Sequence, residues 1–120
     1  MDRGRFDINL LDPDDPFEID DGNRPHLYKH LPVVAGKPIT VGVEDLYDVY
    51  TFGNPLFYPA REDGAADWLM IGKVPGLILV VPLAPPSTFN PAQCRPIGLY
   101  TATDRERRRY FDDLETGENT

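Results

Sequence analysis

Four segments between Asp67 and Tyr110 decide the fold: Asp67-Trp68-Leu69-Met70-Ile71-Gly72, Leu77-Ile78-Leu79-Val80-Val81, Arg95-Pro96-Ile97-Gly98-Leu99-Tyr100 and Thr103-Asp104-Arg105-Glu106-Arg107-Arg108-Arg109-Tyr110. Three apolar runs divided by turn residues predict three antiparallel strands, over residues 66–72, 77–83 and 94–101. Lys73-Val74-Pro75-Gly76 supplies a hairpin turn between the first two. The second run is apolar at nearly every position, as a central strand covered on both faces would be. Pro96 signals an edge or an irregularity in the third. Thr103 with Glu106 forms a capping box, which satisfies free amides at a helix start, so a helix begins there and runs to about residue 114.

Upstream, Phe17-Glu18-Ile19-Asp20 alternates apolar and acidic residues, as a half-exposed strand does. Residues 21–23 read as a turn or cap. Pro25 suits a first helical position and Pro32 stops a helix, so a short helix is expected over 24–31. Residues 32–40 are rich in Pro and Gly and read as a loop. Val43, Leu46, Val49 and Tyr50 recur at helical spacing, with Glu44 and Asp45 at the positive end of the helix dipole. Gly53-Asn54-Pro55 ends that helix, and residues 56–58 add a short strand. Residues 84–91 are too proline-rich for regular structure. The expectation is one α+β domain over 16–114: a small antiparallel sheet of three to five strands, with two helices before it and one after. Residues 1–15 form an acidic extension, flexible or loosely docked, and 115–120 a frayed tail.

The chain has 120 residues, 41% hydrophobic and 27% charged, with a formal net charge of −8. It has no apolar run of about 18 residues to span a membrane, and its first residues lack the apolar stretch of a secretory signal. Cys94 is the single cysteine, which excludes an internal disulfide or a thiolate cluster. The cytoplasm is the expected compartment. The negative total argues against non-specific nucleic-acid binding. The charge is uneven, however. Residues 1–31 carry eight acids against four bases, while Arg105, Arg107, Arg108 and Arg109 cluster near the other end. That cluster offers a local basic surface for RNA or an acidic protein. No glycine-rich phosphate loop, Ser-His-Asp order, zinc spacing or dinucleotide fingerprint occurs, so neither cofactor nor metal is expected.

The order of these pieces resembles the BrnT family, RelE-like ribonuclease toxins of bacterial toxin–antitoxin pairs. Phe17-Glu18-Ile19-Asp20 and Lys29-His30 resemble its opening strand and the Lys-His that closes its first helix. Val43-Glu44-Asp45-Leu46 with Val49-Tyr50, then Gly64 through Ile71-Gly72, then Leu79-Val80-Val81 are similar to its middle. Ala102-Thr103-Asp104-Arg105-Glu106-Arg107-Arg108-Arg109-Tyr110 resembles its last helix. The likeness covers roughly residues 16–111. It implies metal-independent RNA cleavage and neutralisation by an antitoxin protein. Five positions depart from the family: its arginines fall on Asp67, Leu77 and Tyr100, and its Tyr-Thr falls on Pro82-Leu83.

Cleaving RNA without metal requires a base for the 2′-hydroxyl, a cation for the phosphate and an acid for the leaving oxygen. The candidates are Lys29, His30, Arg95 and Tyr100. Arg95 aligns with a basic residue of the family and suits a bidentate phosphate contact. Tyr100 suits an acid or stacking role. His26 would share a helical face with His30 and, with Arg105, Arg108 and Arg109, would meet RNA or the antitoxin. The bland readings stand beside these. His26, Lys29 and His30 at a helix end suit its dipole. Arg95 suits a surface ion pair, Tyr100 suits packing, and the arginine run suits a solvated face. Two rivals to the toxin follow: a catalytically inactive protein-interaction module on the same fold, and an unrelated α+β domain whose loop 84–93 binds a partner. Self-association is left open.

Overall fold

In a computed structural model the described residues are 5–31, 39–61 and 63–116. Of the expected loop 32–40, residues 32–38 lie outside them, as does the end of the tail, while Ile39 and Thr40 belong to a strand and not to a loop. A 3-10 turn over Arg24–Leu27 leads into a two-stranded antiparallel ribbon of β1 (Lys29–Leu31) and β2 (Ile39–Val41). Helix α1 (Val43–Phe52) follows, then β3 (Leu56–Pro59), β4 (Trp68–Val74), β5 (Leu77–Ala84), β6 (Arg95–Pro96), β7 (Tyr100–Thr101) and helix α2 (Asp104–Thr116). The fold is α+β, with a five-stranded antiparallel sheet in the order β3-β4-β5-β6. Strand β7 joins the same edge of β5 as β6, pairing Leu79 with Thr101 while β6 pairs Leu83 with Pro96.

One α-helix precedes this sheet, not two. The predicted helix over 24–31 is a single 3-10 turn followed by strand β1. Pro25 starts that turn, but residue 28 is already extended (φ −128, ψ 118), and the chain continues into pairing with β2. The expected strand over 17–20 reduces to one parallel bridge between Phe17 and Cys94. The expected last strand is split into β6 and β7, with Ile97 N–H donating to the Pro82 carbonyl between them.

Alternation along β4 and β5 builds two cores. Met70, Val74, Leu79, Val81 and Leu83 face one side, together with Leu27, Val41, Leu46 and Val49 from the turn, the ribbon and α1. Ile71, Ile78 and Val80 face the other, under Tyr110 and Leu114 of α2. With both faces covered, β5 needs no polar residue, hence its unbroken apolar run. Gly72 allows α1 to sit close: a Cβ there would lie 2.5 Å from the Val49 side chain. The β4–β5 turn is only Pro75-Gly76, with Gly76 at φ 91, a conformation glycine adopts without strain.

The described part of the acidic extension is docked. Leu11 is buried in the α1-side core, and Phe6 and Ile8 pack against it. Arg5 donates to the carbonyls of Asp67 (3.1 Å) and Ala60 (3.1 Å). The Asp67 carboxylate accepts Phe6 N–H at 3.0 Å, and Trp68 Nε1 donates to the Phe6 carbonyl at 2.9 Å. Asp67, where the resemblance would place an arginine, therefore serves to hold this segment.

Candidate interaction site

Arg95 lies at the start of β6, beside the segment that the Phe17–Cys94 bridge brings along the sheet edge. Its Nη1 donates to Glu18 Oε1 at 2.9 Å and to Asp20 Oδ2 at 2.8 Å, and its Nη2 donates to Asp20 Oδ1 at 2.9 Å. The guanidinium thus grips Asp20 with two nitrogens and Glu18 with one, the fork geometry that suits arginine to carboxylates. Below this pair, Asn23 Nδ2 donates to the carbonyls of Glu18 and Pro96, and Asn23 is itself buried.

Glu18 is only 8% exposed and holds a second segment. Its Oε1 accepts from Ser87 N–H at 3.0 Å and from the Ser87 hydroxyl at 2.8 Å, and its Oε2 accepts from Thr88 N–H at 3.1 Å. Burial by itself would raise the Glu18 carboxyl. The hydrogen bonds from Ser87, Arg95 and Thr88 outweigh it together, and the group is held at about 2 instead of 4.5. The Arg95 hydrogen bond is the largest cause holding Asp20 at about 2 instead of 3.8, helped by Gly22 N–H.

The loop carried by Glu18 runs from Pro85 to Gln93. It turns back on itself where Asn90 accepts Ala92 N–H on its side chain (3.0 Å) and Gln93 N–H on its carbonyl (3.1 Å). Asp12 N–H donates to the Ala92 carbonyl at 2.8 Å, so the acidic extension lies along the loop. A cleft of about 390 Å³ opens beside the node, lined by Asp15, Glu18, Arg24, Tyr47 and Gln93 among others. Phe89 stands at the loop tip with φ 60 and 89% exposure.

The expected catalytic residues lie on three elements: Lys29 and His30 in β1, Arg95 in β6 and Tyr100 in β7. Arg95, expected to hold a phosphate, is here bonded to the carboxylates of Glu18 and Asp20. Tyr100 donates to Glu106 Oε2 at 3.0 Å. Burial first, then that bond, pushes its hydroxyl up to about 12, too weak an acid to protonate a leaving group well at neutral pH. Lys29 is exposed on the ribbon, not on the five-stranded sheet. His26 is exposed in the 3-10 turn, and His30 lies in β1, so the two do not share a helical face. The His30 side chain is outside the described part.

Arg105, Arg108 and Arg109 belong to α2, on the opposite side of the sheet from the ribbon. Arg109 stacks over Tyr58 at 4.5 Å and lies 3.8 Å from Asp113, while Arg107 pairs with Asp104 at 3.3 Å. Arg105 and Arg108 are exposed, with no ion pair among the described residues. The capping box forms as its spacing predicts: Glu106 N–H donates to Thr103 Oγ1, and Thr103 N–H donates to Glu106 Oε1. Glu18, Asp20 and Asn23 are the residues that sequence reasoning missed. The signal at hand was Glu18-Ile19-Asp20 beside a turn at Gly22-Asn23, but its partner Arg95 is 75 to 77 residues away.

Among the described residues, no group of three or more His, Cys, Asp or Glu is placed to hold a metal ion, and no helix is long and apolar enough to cross a membrane. Compared with protein-family models, curated proteins and solved structures, the chain matches none.

Proposed function

We propose that this chain is a protein-interaction module on a RelE/BrnT-like scaffold, the partner-binding half of a toxin–antitoxin-type pair in which RNA cleavage has been given up. One observation carries the reading. Arg95, the residue best suited to hold a phosphate, is saturated by Glu18 and Asp20. The scaffold rests on the order of elements: helix α1, three antiparallel strands β3 to β5, then a capped C-terminal helix after the short strands β6 and β7. The missing helix over 24–31 is a departure from that scaffold. The partner is a protein, since a net charge of −8 works against non-specific attraction to nucleic acid.

Expression of the chain alone in bacteria tests this. Growth should match that of an empty-vector control. Growth arrest that Lys29→Ala relieves would overturn the reading in favour of the ribonuclease.

One observation favours that second reading. His26 and Lys29 remain exposed, and the intervening Leu27 and Tyr28 line a groove of about 420 Å³ with Arg24 and Thr40. A base and a phosphate-holding cation are thus within one short segment, and metal-independent cleavage would be sited there.

A further inference from the structure

Resting on the reading of this chain as an interaction module, we propose that Phe89 is the anchor by which it grips its partner, and that the partner is a protein presenting an apolar pocket bordered by lysine or arginine. Phe89 is 89% exposed, the most exposed large apolar side chain among the described residues. Its backbone sits at φ 60, a region that bulky L-residues rarely adopt and that glycine or asparagine enters more easily. A phenylalanine there gains nothing from the fold: its ring is in water and its backbone is strained. Strained, exposed residues persist where the surroundings over-determine them, and they gather at functional positions.

The surroundings here do over-determine it. On one side, Ser87 and Thr88 are fastened to the buried Glu18 carboxylate, itself held by Arg95. On the other, Asn90 is closed onto Ala92 and Gln93. Pro85, Pro86 and Pro91 limit the remaining backbone freedom. A loop fastened this way loses little backbone freedom on binding, so less of the apolar gain from burying the ring is offset by ordering. A single aromatic anchor in a desolvated pocket is how many interfaces concentrate their affinity.

Charge specifies the rim of that pocket. Residues 12–24 contain six acids, and the segment is tied to the loop through Asp12 N–H on Ala92 and Gln93 Nε2 on Asp15. Arg24 and Arg95 are the two cations set among them. With Glu18 and Asp20 taken up by Arg95, the acids left in this segment, Asp12, Asp14, Asp15 and Asp21, still outnumber its cations. An acidic segment tied to the loop that carries an apolar knob selects a basic-rimmed pocket and speeds encounter with it. It disfavours a second copy of this chain, which carries the same net −8.

The test places p-benzoylphenylalanine at position 89, and separately at 28 and 111, in the full chain expressed in its source cells. Tyr28 and Phe111 are the comparison sites because both are also exposed. Ultraviolet light should yield one adduct from position 89, joined to a partner segment that is apolar and flanked by lysine or arginine. That partner, purified, should bind Phe89→Gly at least tenfold more weakly than wild type, while Phe89→Gly melts at or above the wild-type temperature. Adducts from 28 or 111 without one from 89 would keep the interaction reading and overturn this anchor. An adduct of the chain with itself, an acidic partner segment, or full affinity in Phe89→Gly would also overturn it. A lower melting temperature for Phe89→Gly would show that the ring serves the fold and overturn it as well. Absence of an adduct from position 89 would overturn the anchor whatever positions 28 and 111 yield.

Discussion

Two groups of arginine occupy this molecule, and they do different work. Arg95 is 20% exposed on its side chain and is forked onto Asp20 and Glu18 across most of the length of the chain. The arginines of α2 are solvated. Arg107 and Arg109 have partners, Asp104 and Asp113, three or four residues away on the same helix, in contacts of 3.3 and 3.8 Å. A half-buried node that ties distant segments together, as Arg95 does with the buried Glu18 and the half-exposed Asp20, fixes which segments meet, whereas an exposed pair on one helix face adds little. Guanidinium count alone therefore says nothing about phosphate binding. What matters is whether the fork is already full.

The largest expected effect comes from emptying the node. Arg95→Ala leaves Glu18 charged and nearly buried, and should cost roughly 3 kcal/mol in urea unfolding. Arg95→Lys sharpens the point, since an ammonium cannot reproduce the fork, and should recover only part of that loss. A cost under about 1 kcal/mol for Arg95→Ala would put the node on a par with a surface pair and break the contrast.

Acid should produce the next effect. Glu18 and Asp20 both titrate below their ordinary values, at about 2 against 4.5 and 3.8. The folded state therefore binds fewer protons than the unfolded chain. Stability from these groups is fully present above the ordinary values and is lost as pH falls from about 5 towards 2. Melting curves across that window should show wild type losing stability faster than Glu18→Gln. Parallel slopes would contradict the assignment.

A smaller effect is expected where α2 is fastened. Tyr110 is buried, and its hydroxyl is shared between the carbonyls of Gly53 (3.0 Å) and Asn54 (2.7 Å) at the end of α1. Tyr110→Phe should cost about 1 kcal/mol by leaving those carbonyls without this donor. The smallest effect belongs to the solvated arginines themselves. Arg105→Ser with Arg108→Ser should change stability by no more than about 0.5 kcal/mol. A larger loss would mean that the helix depends on them.

Local features of this fold were legible in the sequence, and distant ones were not. The β4–β5 hairpin, α1 with its stop at Gly53, and the Thr103–Glu106 cap are each written within a dozen residues, and each formed. The boundaries of β4 moved because Pro75-Gly76 alone makes the turn, which leaves Lys73 and Val74 in the strand. Residues 24–31 misled because Pro25 starts a 3-10 turn as readily as an α-helix. The extended conformation that follows depends on pairing with Ile39–Val41, which no local pattern announces. Asp67 and Arg95 have the same character. Asp67 reads as a reversed charge until Phe6 and Arg5 are seen lying against it. Arg95 reads as a phosphate ligand until the Phe17–Cys94 bridge sets Glu18 and Asp20 beside it. The proline-rich loop was visible as a loop, but the exposure and backbone strain of Phe89 are properties of the folded chain alone.

The central claim is that Arg95, the cation best suited to hold a phosphate, serves the architecture of this chain, and that the chain does not cleave RNA. The most direct test is to incubate the purified full chain with single-stranded and structured RNA in chelator-containing buffer, alongside Lys29→Ala. The account predicts that RNA remains intact with both proteins, at the level of the buffer control. Cleavage by wild type that Lys29→Ala abolishes would contradict it.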